Sequence, residues 1–260
     1  MISEPWTTGN TEAMQTENRV QQFILHSASE SVMVIGRGLL GTAFQRYAGD
    51  EQILLFCSGV SNSGCTSHTE FEREQHLLEE ALRIHSEKVF VYFSTCSVYD
   101  PTLCDRPYVL HKLKMEQLVR QHTDHLILRL SNLVGRTDNP YTILNYFYKA
   151  IDSGIPFELW QYAERNLIDI EDVLLVCDFV LKQKLFINQT LQIANPISYP
   201  VTAICLELEK HLNKKGHYIL VGKGAGFHIP LNDVLPLFEQ VKLVFPPNYL
   251  KKLLNKYYPQ

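Results

Sequence analysis

Val32-Met33-Val34-Ile35 runs directly into Gly36-Arg37-Gly38-Leu39-Leu40-Gly41, a strand-like apolar run followed by glycines in G-x-G-x-x-G spacing and then by a helix-like run. Few folds accommodate this order. Gly36 permits a tight turn at the strand end, Gly38 lets a pyrophosphate approach the backbone, and Gly41 lets helix and strand pack closely. Alone, the spacing also fits a plain glycine turn; with a strand before it and a helix after it, it points to a dinucleotide site that includes Arg37, Leu39 and Leu40.

The chain then alternates in kind. Hydrophobic patterning predicts strands at residues 31–35, 52–57, 89–93 and 126–130, and helices at 39–47, 69–85 and 108–122. Phe71, Leu77, Leu78, Ala81 and Ile84 supply the apolar stripe of the second helix. Strand and helix in turn imply a parallel sheet covered on both faces, so the expected fold is α/β and Rossmann-like. Beyond Asn132 the pattern loosens into helix-like stretches at 142–151, 171–181, 201–212 and 231–241, separated by short strands and by Pro and Gly loops. Residues 31–260 therefore read as one domain whose C-terminal part, about 136–260, is a small α+β lobe suited to substrate recognition. Residues 1–30 are polar and read as an extension. Gly222-Lys223-Gly224-Ala225-Gly226 lacks the Lys-Ser/Thr ending of a phosphate loop and reads as a flexible connection in the lobe.

Charge narrows the function classes. The 260 residues hold 24 Lys+Arg against 28 Asp+Glu, a formal charge of −4, which disfavours a nucleic-acid or anionic-membrane binder. No apolar run reaches the roughly 18 residues of a membrane span, and the N-terminus has neither a basic start nor an apolar stretch, so a cytoplasmic protein is expected. Cys57, Cys65, Cys96, Cys104, Cys177 and Cys205 are scattered without metal-site spacing; free thiols and no metal are expected.

The chemistry-bearing signal lies in Ser94-Thr95-Cys96-Ser97-Val98-Tyr99 at the end of the third strand, followed by Tyr108 and Lys112 on a predicted helix. Four-residue spacing stacks phenol and ammonium on one helical face. A free Tyr ionises near pH 10, so proton transfer at neutral pH requires nearby positive charge, which Lys112 and an oxidised nicotinamide supply. Thr95 is placed to hold a substrate oxygen against the phenol. Tyr and Lys at this spacing also occur on ordinary amphipathic helices; the strand end and the glycine turn make the catalytic reading the better one. His111, beside Lys112 but about 100° around the helix, reads as a surface residue. Cys96 reads as a space-filler, since no base stands beside it in sequence.

VIGRGLLG, FSTCSVY, PYVLHKLKMEQLV, LRLSNLVGR and RNLIDIEDV, in this order, resemble the extended short-chain dehydrogenase/reductases, the NAD-dependent epimerase/dehydratase family that modifies nucleotide sugars. The resemblance implies that Thr95 and Tyr108 form the proton-transfer pair and that Lys112 binds the nicotinamide ribose. It implies that Cys57, Ser58, Gly59 and Ser94 flank NAD or NADP, and that Asn132 and Arg165 face a substrate diphosphate. A guanidinium suits a diphosphate on chemical grounds, although Arg165 as a solvated surface charge fits equally well. The expected activity is reduction or epimerisation of a nucleotide-activated sugar. Pairing of residues 69–85 and 108–122 across a homodimer is compatible with the pattern.

Two departures bear on that reading. Cys96 and Ser97 stand where dehydratases of the family carry Asp and Glu, which disfavours dehydration. More consequentially, the 56 residues from Gly38 to Ser94 leave room for one intervening strand, whereas each βαβ unit takes about 30 residues or more. The strand at residues 53–57 then corresponds to the one beside the nicotinamide, and the strand whose terminal acid grips the adenosine ribose is missing. Position 56 is Phe and the nearest acids, Asp50 and Glu51, precede the strand. Arg37 suits the 2′-phosphate of NADP, though solvation explains it equally. The shortened adenosine side keeps open a degenerate member that binds a nucleotide or a partner protein without turnover.

Overall fold

The computed structural model describes residues 33–259; the extension read at residues 1–30 lies outside them. The main sheet has five parallel strands in the order β1-β2-β3-β4-β8. These are β1 (Val34–Ile35), β2 (Ile53–Phe56), β3 (Val89–Thr95), β4 (His125–Leu130) and β8 (Gln189–Ile193). The strands β1 to β3 are short apolar runs buried from both sides, as parallel strands must be when helices cover both faces, whereas the edge strand β8 buries only Leu191 and Ile193. Phe90, Val91 and Tyr92 are completely buried in succession along β3.

The helices divide between the faces. On one, α1 (Leu39–Ala43), α5 (Ile170–Lys182) and α7 (Leu235–Gln240) cover Val34, Leu55, Val91 and Leu128. On the other, α2 (His68–Ile84) and α3 (Pro107–Val119) cover Ile35, Leu54, Phe90, Tyr92 and Ile127. Ser67 caps α2 by accepting from Glu70 N, and Pro107 opens α3, where its missing N–H costs nothing.

This division exposes the missing piece in physical terms. From β1 to β2 and from β2 to β3 the chain steps in the same direction along the sheet, yet α1 and α2 lie on opposite faces. The two crossovers therefore have opposite hands. Parallel crossovers are nearly always right-handed, so one of these two departs from the rule; α2 shares its face with α3, and α1 shares its face with α5, the helix that leads into β8. Helix α1 occupies the face it would take if the next strand lay outside β1. Among the described residues the sheet ends at β1, whereas the doubly wound dinucleotide fold carries two further strands there.

The lobe has its own core, built from α4 (Ile143–Asp152), α6 (Val201–Leu212) and α8 (Tyr249–Tyr257) around β6 (Phe157–Trp160) and β7 (Glu164–Asp169). Strand β10 (Tyr218–Val221) pairs in parallel with β6, while β5 (Asn132–Val134), β7 and β9 (Ser198–Pro200) form a third sheet. Two sequence expectations change. Residues 222–226 are not a flexible connection: Tyr162 N donates to Lys223 O and Glu164 N to Ala225 O, and a Cβ on Gly224 would lie 2.5 Å from that of Ala163. The helix expected at 231–241 is confined to Leu235–Gln240, preceded by turns.

Candidate active site

A cavity of about 440 Å³ opens over the C-terminal ends of β1 to β4, the place where open α/β sheets bind ligands. Its lining includes Arg37, Gly38, Leu39 and Leu40 from the first turn, Cys57, Ser58 and Gly59 after β2, and Ser94, Thr95 and Ser97 at the end of β3. Tyr108 and Lys112 enter from α3, and Asn132 follows β4. Asn166, Phe227 and Ile229 of the lobe close the far wall.

The glycines of the first turn have separable roles. Gly36 has φ +132°, and a Cβ there would lie 2.5 Å from Cys57 O; a Cβ on Gly41 would lie 2.2 Å from Gly36 O. Both sit behind the cavity, where they let β1, α1 and β2 close up. Gly38 is different: a Cβ there would meet nothing within 4 Å, which leaves its backbone open to a ligand. Gly41→Ala is therefore expected to cost about 1–3 kcal/mol as overpacking, and Gly38→Ala within about 0.5 kcal/mol of zero. Urea denaturation of the two variants checks this contrast.

Tyr108 and Thr95 are brought together. The Tyr108 phenol and the Thr95 side chain line the cavity beside one another, and the Thr95 and Ser97 hydroxyls are 3.0 Å apart. Burial, and then the charge of Glu74, push the Tyr108 phenol above its ordinary value, while the Thr95 side chain works the other way.

Lys112 is held otherwise than the resemblance implies. Its ammonium donates to Glu74 Oε1 at 3.0 Å, to Tyr92 OH at 2.9 Å and to Phe93 O at 3.2 Å, which uses all three of its donors. Glu74 also accepts from Val60 N at 2.6 Å and from Tyr92 OH at 2.7 Å, and lies 3.1 Å from His111 Nε2. Glu74 is 0% and Lys112 3% exposed, so this is a desolvated ion pair, closed over by Gly59, where a Cβ would lie 2.6 Å from Lys112 Nζ. No donor is left over for a ribose hydroxyl while the pair is intact.

His111 is a correction: it is buried, stacked on Phe71 and joined to Glu74, not a surface residue. Arg165 is another. Its guanidinium bonds Glu164 O and lies 3.7 Å from the buried Asp100 carboxylate, and it does not line the cavity. Asn132 does line it, with its amide donating to Asn166 O. The Cys96 thiol is buried and donates to Arg129 O. Asp50, one of the acids considered for a ribose, instead accepts from Gln52 N and Ile53 N at the opposite end of β2.

Residues that sequence reasoning missed complete the site. Arg73 of α2 lines the cavity and donates to Ser58 Oγ and Ser58 O. Glu116, one turn beyond Lys112, accepts from Ser94 Oγ at 2.7 Å and takes a two-point ion pair from Arg129 at 2.8 and 2.7 Å. Tyr108, Lys112 and Glu116 thus contact Thr95, Phe93 and Ser94 in turn, pinning α3 along β3.

Burial alone would raise both carboxyls. For Glu74 the charge of Lys112 and the His111 bond outweigh it, and for Glu116 the bonds from Arg129 and Ser94 do, so both are held below the usual range. The unfolded chain then binds more protons, and stability rises with pH up to the unfolded value of about 4.3. Below that value the contribution is lost as pH falls through the folded values. Urea midpoints are expected to drop steeply from about pH 5 to about pH 3, with a shallower fall in Glu116→Gln.

A glycine turn at a strand end, a hydroxyl–phenol pair and a cavity at the carboxyl ends of a parallel sheet define a Rossmann-type dinucleotide site. The NAD dependent epimerase/dehydratase family matches residues 58–194, more than half of the chain. The protein belongs to this family, and among its described residues the sheet ends at β1. No curated protein matches it in sequence. Among solved structures it is similar to UDP-glucuronic acid 4-epimerase from Bacillus cereus, in complex with NAD and a fluorinated UDP-glucuronic acid. That match has TM-score 0.64 and 16% identity over 80% of this chain and 74% of the other. It is similar to dTDP-glucose 4,6-dehydratase from Bacillus anthracis in complex with NAD, with TM-score 0.62 and 15% identity over 84% and 74%. RMD from Pseudomonas aeruginosa, complexed with NADPH, matches at TM-score 0.62 and 13% identity over 83% and 93%. Among the described residues no helix is long and apolar enough to cross a membrane.

Proposed function

We propose that the protein is an NAD(P)-dependent oxidoreductase acting on a nucleotide-activated sugar by hydride exchange at a carbonyl or carbinol carbon. One observation carries the reading. The Thr95–Tyr108 pair and the open Gly38 turn line one cavity whose described lining holds Arg37 and Arg73 but no carboxylate, Lys112 being paired with Glu74 behind it, although the chain as a whole is acidic. Such a lining favours a phosphate-bearing ligand over a neutral or cationic one.

The residues fit a nicotinamide dinucleotide on its nicotinamide and diphosphate side: Gly38 leaves backbone open, Arg73 offers a guanidinium, and Ser58 and Ser94 offer hydroxyls. The bound cofactor would supply or accept the hydride. Thr95 holds the substrate oxygen, Tyr108 exchanges the proton with it, and Asn132 faces the substrate from the end of β4. Lys112 serves as the counter-ion of Glu74. The test is consumption of NADPH or NADH by the full chain with a keto-sugar nucleotide. Turnover above the uncatalysed rate is expected, and cofactor binding without turnover of any such sugar would contradict the reading.

A second reading, a nucleotide-binding member without turnover, draws on the edge position of β1 and on the occupied donors of Lys112. Under it, Tyr108→Phe leaves every ligand affinity unchanged and there is no turnover to lose.

A further inference from the structure

The ion pair behind the cavity bears on the direction of the reaction. An active-site Tyr serves as a base only if positive charge stabilises its phenolate. Here the ammonium one turn along α3 is already compensated: Lys112 Nζ lies 3.0 Å from Glu74 Oε1, and the same carboxylate takes Tyr92 OH and His111 Nε2. The titratable and charged groups around Tyr108 are Arg73 and Glu74 from α2, Tyr92 from β3, His111 and Lys112 from α3, and Cys65, packed in the same cluster from the loop after β2.

We propose that Glu74 is a positioning residue that sets the site for reduction: by neutralising Lys112 beside Tyr108 it keeps the phenol a proton donor, so the substrate is a keto-sugar nucleotide rather than an alcohol awaiting oxidation. This deepens the oxidoreductase reading and rests on it. Burial and the Glu74 charge both act in the required direction on Tyr108. A reduced nicotinamide, when bound, would supply the hydride and be oxidised in doing so. The carbonyl carbon gains the C–H bond, its π pair moves to oxygen, and the oxygen takes the Tyr108 proton. Water returns a proton to the phenolate through the Ser97 and Thr95 hydroxyls, which are 3.0 Å apart. A reaction that begins at an alcohol needs the opposite, a phenolate at the outset.

The experiment follows tyrosinate absorbance against pH in the full chain without ligand, with Tyr108→Phe subtracted so that only Tyr108 is read. In the wild type, ionisation of Tyr108 is expected above the ordinary value of about 10. In Glu74→Gln the midpoint is expected to fall by about a pH unit or more, tenfold in proton affinity. In Glu74→Gln/Lys112→Met, where both charges are gone, it returns to the wild-type position, which a merely structural role for Glu74 would not produce. A wild-type midpoint below about 10, an unshifted Glu74→Gln, or a double variant titrating below wild type overturns the proposal. If Glu74→Gln does not fold, the wild type and the double variant decide. No cofactor enters this titration, so its failure is distinct from failure of the oxidoreductase reading, which is registered by absent turnover.

Discussion

Tyr108→Phe is expected to lower kcat with a keto-sugar nucleotide by about 10²- to 10⁴-fold, the range supplied by a positioned proton donor, with KM changed little. The substitution removes one oxygen from a side chain that is 7% exposed and packed against Val60, Cys65 and Val109, so the ring keeps its packing and the fold its stability. Thr95 keeps its bond to Ser97 and still holds the substrate oxygen. What is lost is the proton, which water must then deliver into a buried site. Steady-state kinetics of the two proteins, with thermal unfolding as a control, checks both halves. A loss within a few-fold of wild type would remove Tyr108 from the mechanism.

Glu74→Ala carries the other large effect, on the fold. It leaves Lys112, 3% exposed, as a buried ammonium with only Tyr92 OH and Phe93 O for partners, and it strips the acceptor from Val60 N. Breaking a buried ion pair from one side typically costs about 3–5 kcal/mol, a large part of the roughly 5–15 kcal/mol that holds a domain folded. The paired replacement Glu74→Gln/Lys112→Met removes both charges at similar volume and is expected to recover most of that loss, because the penalty belongs to the uncompensated charge. Denaturant midpoints of the three proteins decide it. Equal losses in the single and double variants would mean that packing rather than charge holds this corner.

Much of this architecture is legible in the residues. The glycine turn and the four predicted strands follow from local pattern, the pairing of Thr95 with Tyr108 from the family resemblance, and the 56-residue interval from Gly38 to Ser94 already leaves no room for the strands outside β1. The crossover hand is not local and emerges only once the helices are assigned to faces. Glu74 escapes a reading that assigns acids to the surface, yet it sits three residues after Phe71 and four before Leu78, inside the apolar stripe of α2. A carboxylate there requires a buried cation, and Lys112 is the one that meets it. His111 is misread for the same reason: its direction on α3 is correct, but the face it points to is covered by Phe71. Helix α8 escapes the periodicity reading although Tyr249, Leu250, Leu253, Leu254 and Tyr257 recur at helical spacing, because lysines dilute the run; Tyr249 and Tyr257 bond Asp172 and Asp169 at the start of α5. Arg165 matched a motif position whose neighbours differ, and Asp100 draws it away from the cavity.

The proposed function requires that the cavity above β1 to β4 receive a nicotinamide dinucleotide across the bare backbone of Gly38. Equilibrium titration of the full chain with NADPH and NADH, read by nicotinamide fluorescence, tests it together with Gly38→Ala. Micromolar binding of at least one of the two by the wild type, lost in an equally stable Gly38→Ala, is the predicted result. No binding of either at millimolar concentration, or binding that Gly38→Ala leaves intact, would contradict it.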